Sequence, residues 1–281
     1  MNTVPAYSGK LTKYYRQPKI YISLPSQGNY YNQGSIDGDP TNLPVFGMTA
    51  MDEIMFKTPD ALFTGESVVN VIQSCVPAIR DAWQVPQIDI DTLLLGIRMA
   101  TYGEDLDITI VCDECSHEWT MGIDLGAILS YFQQLTYKNT VLVEPLTFNL
   151  RPLSYKEQTN FQQKAYAIQK QLATFIRNME TGTDTSKQVE KHYKELGSIA
   201  ADSMRLQIHS ISADEDVVSN QQEITDWLNN SEKMFYDKLK EHIEHMREEW
   251  AIPKQKTSCP NCNHEQETKL DLDNSNFFAK S

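Results

Sequence analysis

An α+β fold, mainly helical, is what the chain's hydrophobic patterning predicts, and two observations carry that reading. Between about residues 154 and 250 apolar residues recur at alternating spacings of three and four, the period of one helix face. Outside that stretch two short segments of strict alternation, each set beside a Cys-x-x-Cys pair, have the period of strands.

Taken in order, residues 1–43 are rich in Tyr, Pro, Gly, Asn and Ser, and read as an extended, loop-rich arm rather than core. One short strand is expected at Lys19–Leu24. From Leu43 to Gly103 the reading is helical. Thr49-x-x-Asp52 resembles a helix start with Thr49 as N-cap, Pro59 and Gly65 break the run, and a third helix is expected near Asp89–Tyr102. Leu106, Ile108 and Ile110, then Trp119, Met121 and Ile123, alternate with polar residues and form a hairpin whose turn holds Cys112 and Cys115. A helix at Leu125–Leu135 follows. Val141–Leu150, interrupted by Pro145 and ended by Pro152, reads as an edge hairpin.

Ser154-x-x-Glu157 is a capping box. Behind it Phe161, Ala165, Ile168, Leu172, Phe175 and Met179 make one stripe, closed by Gly182. Thr185-x-x-Gln188 opens a second long helix with Val189, Tyr193, Leu196, Ala200 and Met204. A short helix around Ile224–Leu228 precedes a third at Ser231–Trp250. Residues 154–250 are therefore expected to be an antiparallel helical hairpin or bundle. Four regions follow: an arm at 1–43, a helical segment with the first hairpin at 44–123, a helical insertion at 124–253, and a second hairpin with a tail at 254–281.

The two cysteine segments align over Cys-x-x-Cys-x-His-Glu: Cys112 to Glu118 and Cys259 to Glu265. A Cys-x-x-Cys turn directs two thiolates at one centre, which is half of the tetrahedron that zinc prefers. Two such turns complete it, so Cys112, Cys115, Cys259 and Cys262 are expected to bind one structural Zn²⁺ per chain. The fold is then a split zinc ribbon, with the helical segment inserted between its halves. The long gap is no obstacle, because loop closure costs grow only logarithmically with length. Four thiolates close the shell, which argues against a catalytic metal; His117 and His264 are expected in supporting hydrogen bonds or on the strand surface.

The net charge of −13 disfavours nucleic acid as a partner. It is also unevenly spread: the first 36 residues hold Lys10, Lys13, Arg16 and Lys19 and no acid, with Tyr7, Tyr14 and Tyr15 among them. That segment is either a solvated arm or one that docks on an acidic neighbour. No apolar run approaches the length of a membrane span and no signal core opens the chain, so an intracellular protein is expected. Enzyme signatures are missing: no phosphate loop, no Gly-x-Ser-x-Gly, no His-Glu-x-x-His. His242 and His245 read as a solvated helix face, and Cys75 as a small core residue.

The stretches Leu24–Gly28, Leu43–Glu53, Pro59–Gly65, Val71–Pro77, Ala100–Glu104 and Leu150–Tyr155 follow one another in that order. Together they resemble the baseplate hub family of T4-type contractile-tailed phages. The resemblance implies a noncatalytic structural or assembly role in the central hub, in the virion tail baseplate, assembled in the host cytoplasm. It implies other hub and tail proteins as partners, no small-molecule substrate and no membrane span. Two alternatives stay open at this point: a zinc-ribbon adaptor acting on transcription machinery, and an assembly chaperone absent from the virion. Phe277-Phe278 and residues 1–43 are the expected contacts to neighbouring subunits.

Overall fold

The structure, a computed structural model, describes residues 10–56, 64–177 and 185–269. Pro59, Met179, Gly182, Tyr7 and Phe277-Phe278, singled out above, lie outside the described residues. Within them the fold is α+β, with eight helices and small antiparallel sheets gathered around two apolar cores.

The first core is built on a helix buried on nearly every side, α3 (Gln87–Tyr102). Leu93, Leu94, Leu95 and Ile97 are all fully buried, which fits a consecutive apolar run rather than a single stripe; Asp89, Thr92 and Arg98 are buried with them. Packed on it are a two-stranded ribbon of β1 (Pro18–Ile22) and β2 (Leu43–Phe46), the helices α1 (Ala50–Phe56) and α2 (Glu66–Cys75), and α4 (Leu125–Gln134). Thr49 caps α1 as expected: its hydroxyl accepts from the Asp52 N–H while Asp52 accepts from the Thr49 N–H. Two expectations are corrected here. Leu43–Phe46 is a strand rather than the start of a helical run, because Leu43 and Val45 alternate into the core. And the segment before it is not confined to a surface arm: Ile22 and Leu24 are buried in this core.

That docking is fixed by Asp89 at the start of α3. Its carboxylate accepts from the Ser26 N–H at 2.9 Å, from the Ser26 hydroxyl at 2.5 Å and from Tyr31 Oη at 2.9 Å. Gly47 permits close approach at the other end: a Cβ there would stand 2.9 Å from the Ala100 carbonyl oxygen.

From α3 the chain enters a hairpin, β3 (Asp105–Val111) and β4 (Glu118–Asp124), paired from Asp105↔Asp124 to Val111↔Glu118. Leu106 and Ile123 anchor its base in the first core. Then come β5 (Thr140–Val143), β6 (Leu146–Leu150), the long helices α5 (Tyr155–Arg177) and α6 (Thr185–Gln207), β7 (Ile208–Ala213), β8 (Asp216–Val218), α7 (Gln221–Asn230) and α8 (Lys233–Glu249). The capping box is present: Ser154 N–H donates to Glu157, the Glu157 N–H donates to Ser154 Oγ, and Arg151 holds the same carboxylate with two nitrogens at 2.7 and 2.9 Å.

The insertion is not helical alone, and this is the main correction. β7 and β8 join the expected hairpin in a four-stranded sheet of order β5-β6-β7-β8, so β6 is an interior strand. Phe148 on β6 is fully buried under Trp227 and Phe235, with ring centroids 5.4 and 6.4 Å away. β7 reads Ile-His-Ser-Ile-Ser-Ala and buries Ile208, Ser210 and Ile211. A buried serine and a register shift beside Asn149 and Leu150 hide the alternation that would have announced it. On α6 the expected stripe is met in part: Val189 and Leu196 are half-buried and Met204 is buried, while Tyr193 and Ala200 are exposed and His192 and Ile199 are half-buried beside them. On α8, the expected third helix, Phe235, Leu239, Ile243 and Met246 form a stripe that faces inward. No helix among the described residues is long and apolar enough to cross a membrane.

Candidate metal centre

After α8 the chain forms a second hairpin, β9 (Gln255–Ser258) and β10 (Glu265–Thr268). Its turn repeats that of the first hairpin bond for bond. Cys112 N–H donates to the His117 carbonyl at 2.9 Å and Ser116 N–H to the Cys112 carbonyl at 2.9 Å. In the second turn Cys259 N–H donates to the His264 carbonyl and Asn263 N–H to the Cys259 carbonyl, again at 2.9 Å. The residue after the second cysteine is left-handed in both, Ser116 with φ 55° and Asn263 with φ 60°. A six-residue turn of this kind must reverse tightly while presenting two side chains on one side, and a positive φ at that point does so. One local sequence thus folds one way twice.

The two turns face each other. Cys112 Sγ lies 3.6 Å from Cys262 Sγ, and Cys115 Sγ lies 3.7 Å from Cys259 Sγ. All four sulfurs fall within 4.8 Å of one another. These separations are too long for S–S bonds, and all five cysteines are free. They match a tetrahedron: with zinc–sulfur bonds of about 2.3 Å, its edge is about 3.8 Å. Cys112 and Cys259 are buried, Cys115 and Cys262 exposed, so the centre sits at the rim of the protein. The four residues picked from sequence are brought together. Among the described residues they form the one cluster of three or more side chains of metal-ligating type.

The electrostatics of the cluster favour a cation. The Asn261 side-chain amide at 3.6 Å, followed by the backbone N–H of His117, draws the Cys115 thiol down to about 6. Cys262 moves the other way, up to about 12: the His264 backbone N–H lowers it, but the neighbouring sulfurs, Cys115 first, outweigh that. Four thiolates this close repel one another, and a divalent ion removes the repulsion by displacing the protons.

His117 and His264 serve through their backbone carbonyls; the His117 ring stacks on Trp119 at 6.5 Å instead of turning to the sulfurs. Sequence reasoning missed Gln266. Its Nε2 donates to the Val111 carbonyl at 3.0 Å and its Oε1 accepts from the Asp113 N–H at 3.1 Å, clamping the second hairpin on the first. A signal existed: Gln266 stands seven residues after Cys259, where the first repeat has Trp119 seven after Cys112, so the repeat breaks where one copy contacts the other.

The remaining candidates fall elsewhere. Cys75 is fully buried in the first core, and burial pushes its thiol up to about 12. His242 is half-buried rather than solvated; its Nε2 lies 3.1 Å from the Lys138 carbonyl, on a cavity of about 260 Å³ between the two cores, and His245 is exposed.

No curated protein and no solved structure matches the chain. A family model does: the one described as T4 bacteriophage base plate protein covers residues 48–279, from the start of the α1 capping box through both cysteine hairpins. With most of its length inside that match, the chain belongs to the T4 bacteriophage base plate protein family.

Proposed function

We propose that this chain is a noncatalytic structural component of the phage baseplate hub, its fold stapled by one zinc ion on Cys112, Cys115, Cys259 and Cys262. The observation that carries the reading is the junction of the two hairpins. Two segments 144 residues apart meet through four sulfurs at tetrahedral spacing, inside a chain of the baseplate family. The metal is zinc because four thiolates in paired hairpin turns suit a tetrahedral ion without redox chemistry. It closes a split ribbon around the insertion, so the second core is tied to the first at both of its ends. A closed shell leaves no open position for substrate, and metal binding at the joint couples to folding and so stiffens it. Membership of the baseplate family supports other phage tail proteins as partners and the tail baseplate as the location.

The test is a pull-down of tagged chain from infected cells, with partners identified by mass spectrometry and the same chain sought in purified virions. Co-purification of tail proteins and presence in the virion are expected. Recovery of polymerase subunits instead would favour the transcription-adaptor reading. Tail partners without virion presence would favour an assembly chaperone.

A further inference from the structure

The charge of the chain is segregated on two surfaces that its own fold leaves unmatched. One is the head. Residues 10–36 contain Lys10, Lys13, Arg16 and Lys19 and no acid. The head is held in place by Arg16, which donates to the Gly47 carbonyl at 2.8 Å and to the Ser74 carbonyl at 2.6 Å and pairs with Asp52 at 3.4 Å. Lys10, Lys13 and Lys19 are exposed and enter no ion pair among the described residues; Lys13 lies over the Tyr14 ring at 4.9 Å. Around them apolar side chains face outward: Tyr14 is 72% exposed, Tyr15 58% and Tyr21 59%, with Met51 on the neighbouring α1 at 62%. Aromatic residues enrich interfaces, and an apolar cluster rimmed by one sign of charge marks a docking surface.

The other surface is the first cysteine hairpin. From residue 99 to residue 137 there is no Lys or Arg, while Glu104, Asp105, Asp107, Asp113, Glu114, Glu118 and Asp124 are all exposed. None of the seven forms an ion pair among the described residues. Asp105 and Asp124 stand directly opposite each other in the β3–β4 register, like charges that disfavour each other; Asp124 accepts from the Ala127 N–H at the start of α4, but no cationic side chain pairs with either among the described residues. Val111, on the same hairpin, is 48% exposed.

We propose that the head of one copy docks on the β3–β4 hairpin of a second copy, so that the chain self-associates through a basic, tyrosine-rich surface and an acidic strand surface. The partner is a second copy because each surface supplies what the other lacks and both belong to every chain. The lysines meet the hairpin carboxylates, and Tyr14, Tyr15 and Met51 cover Val111. The association stands apart from the hub reading: it requires neither other tail proteins nor infection.

Charge reversal with exchange tests it. The full-length chain is examined by sedimentation velocity at about 0.05 M salt and at about 1 M, where the Debye length shrinks to about 3 Å. Concentration-dependent association is expected at low salt, weakened tenfold or more at high salt. Lys13→Glu with Lys19→Glu should remain monomeric alone, because the new carboxylates offset Lys10 and Arg16 and the head loses its net positive charge. Asp105→Lys with Asp107→Lys should also remain monomeric alone, because the strand positions that meet the head lysines then carry like charge. An equimolar mixture of the two variants should associate again, since unaltered heads can meet unaltered hairpins and the reversed positions meet each other with opposite sign. A wild-type chain that stays monomeric at low salt overturns the proposal, and so does an association that survives either reversal or a mixture that does not recover it.

Discussion

Asp89 is the residue where sequence and energetics diverge most. Read from sequence it is a polar position at a helix start; in the fold it is a buried carboxylate that ties Ser26 and Tyr31 to α3. Burial, only partly offset by the Ser26 and Tyr31 hydrogen bonds, raises it from 3.8 to about 6. The sign follows directly. As pH rises, the unfolded chain loses this proton first, so stability falls between about pH 4 and 6 and is level above that. The upward shift of about two units corresponds to about 3 kcal/mol. Urea unfolding of the wild type and of Asp89→Asn, compared from pH 4 to 7, should show the difference in their stabilities moving against the wild type by about that amount; a flat difference would contradict the assignment. Gly47 makes a second residue-scale case. A methyl group there meets a backbone oxygen at 2.9 Å that cannot rotate away, so Gly47→Ala should cost about 1–3 kcal/mol and lower the thermal midpoint.

At the scale of elements, periodicity was informative where a stripe was long and one-sided. The α8 stripe, the two capping boxes and both cysteine hairpins were legible because period, cap chemistry and turn residues agreed. β7 was not, because Ser210 occupies an inward position and β8 is only three residues long. The identity of its neighbour β6 depends on a pairing 61 residues distant, visible in the Asn149–Ser210 hydrogen bond, which no local pattern encodes. The same sheet gives a test of the second core. Phe148→Ala removes the ring shared by Trp227 and Phe235 and should destabilise by about 3–5 kcal/mol. Loss of only a few tenths would mean that the sheet does not carry that core. Gln266→Ala should leave both cysteine turns folded but loosen their junction, since it removes the bonds to Val111 and Asp113; the readout is faster release of metal to a chelator at unchanged stoichiometry.

The whole molecule is organised by its topology. The second core is entered after the first hairpin and left before the second, so the cysteine cluster is the clasp that returns the chain to its starting point. That clasp was legible in the sequence as a repeated heptapeptide, and the family match runs through both halves of it. The docking of residues 18–46 on α3 was not legible, because their Tyr, Pro, Gly and Asn content resembles a free arm, and the apolar side chains they bury fully in the core, Ile22, Leu24, Leu43 and Val45, are few and widely spaced. Structural zinc at a joint of four thiolates can contribute about 10 kcal/mol or more to folding. The most direct test is the metal-to-chain ratio of the purified protein by plasma mass spectrometry, alongside thermal unfolding before and after a strong chelator. One zinc per chain is expected, with a large loss of stability when it is removed; no bound metal, or another metal in its place, would contradict the zinc staple.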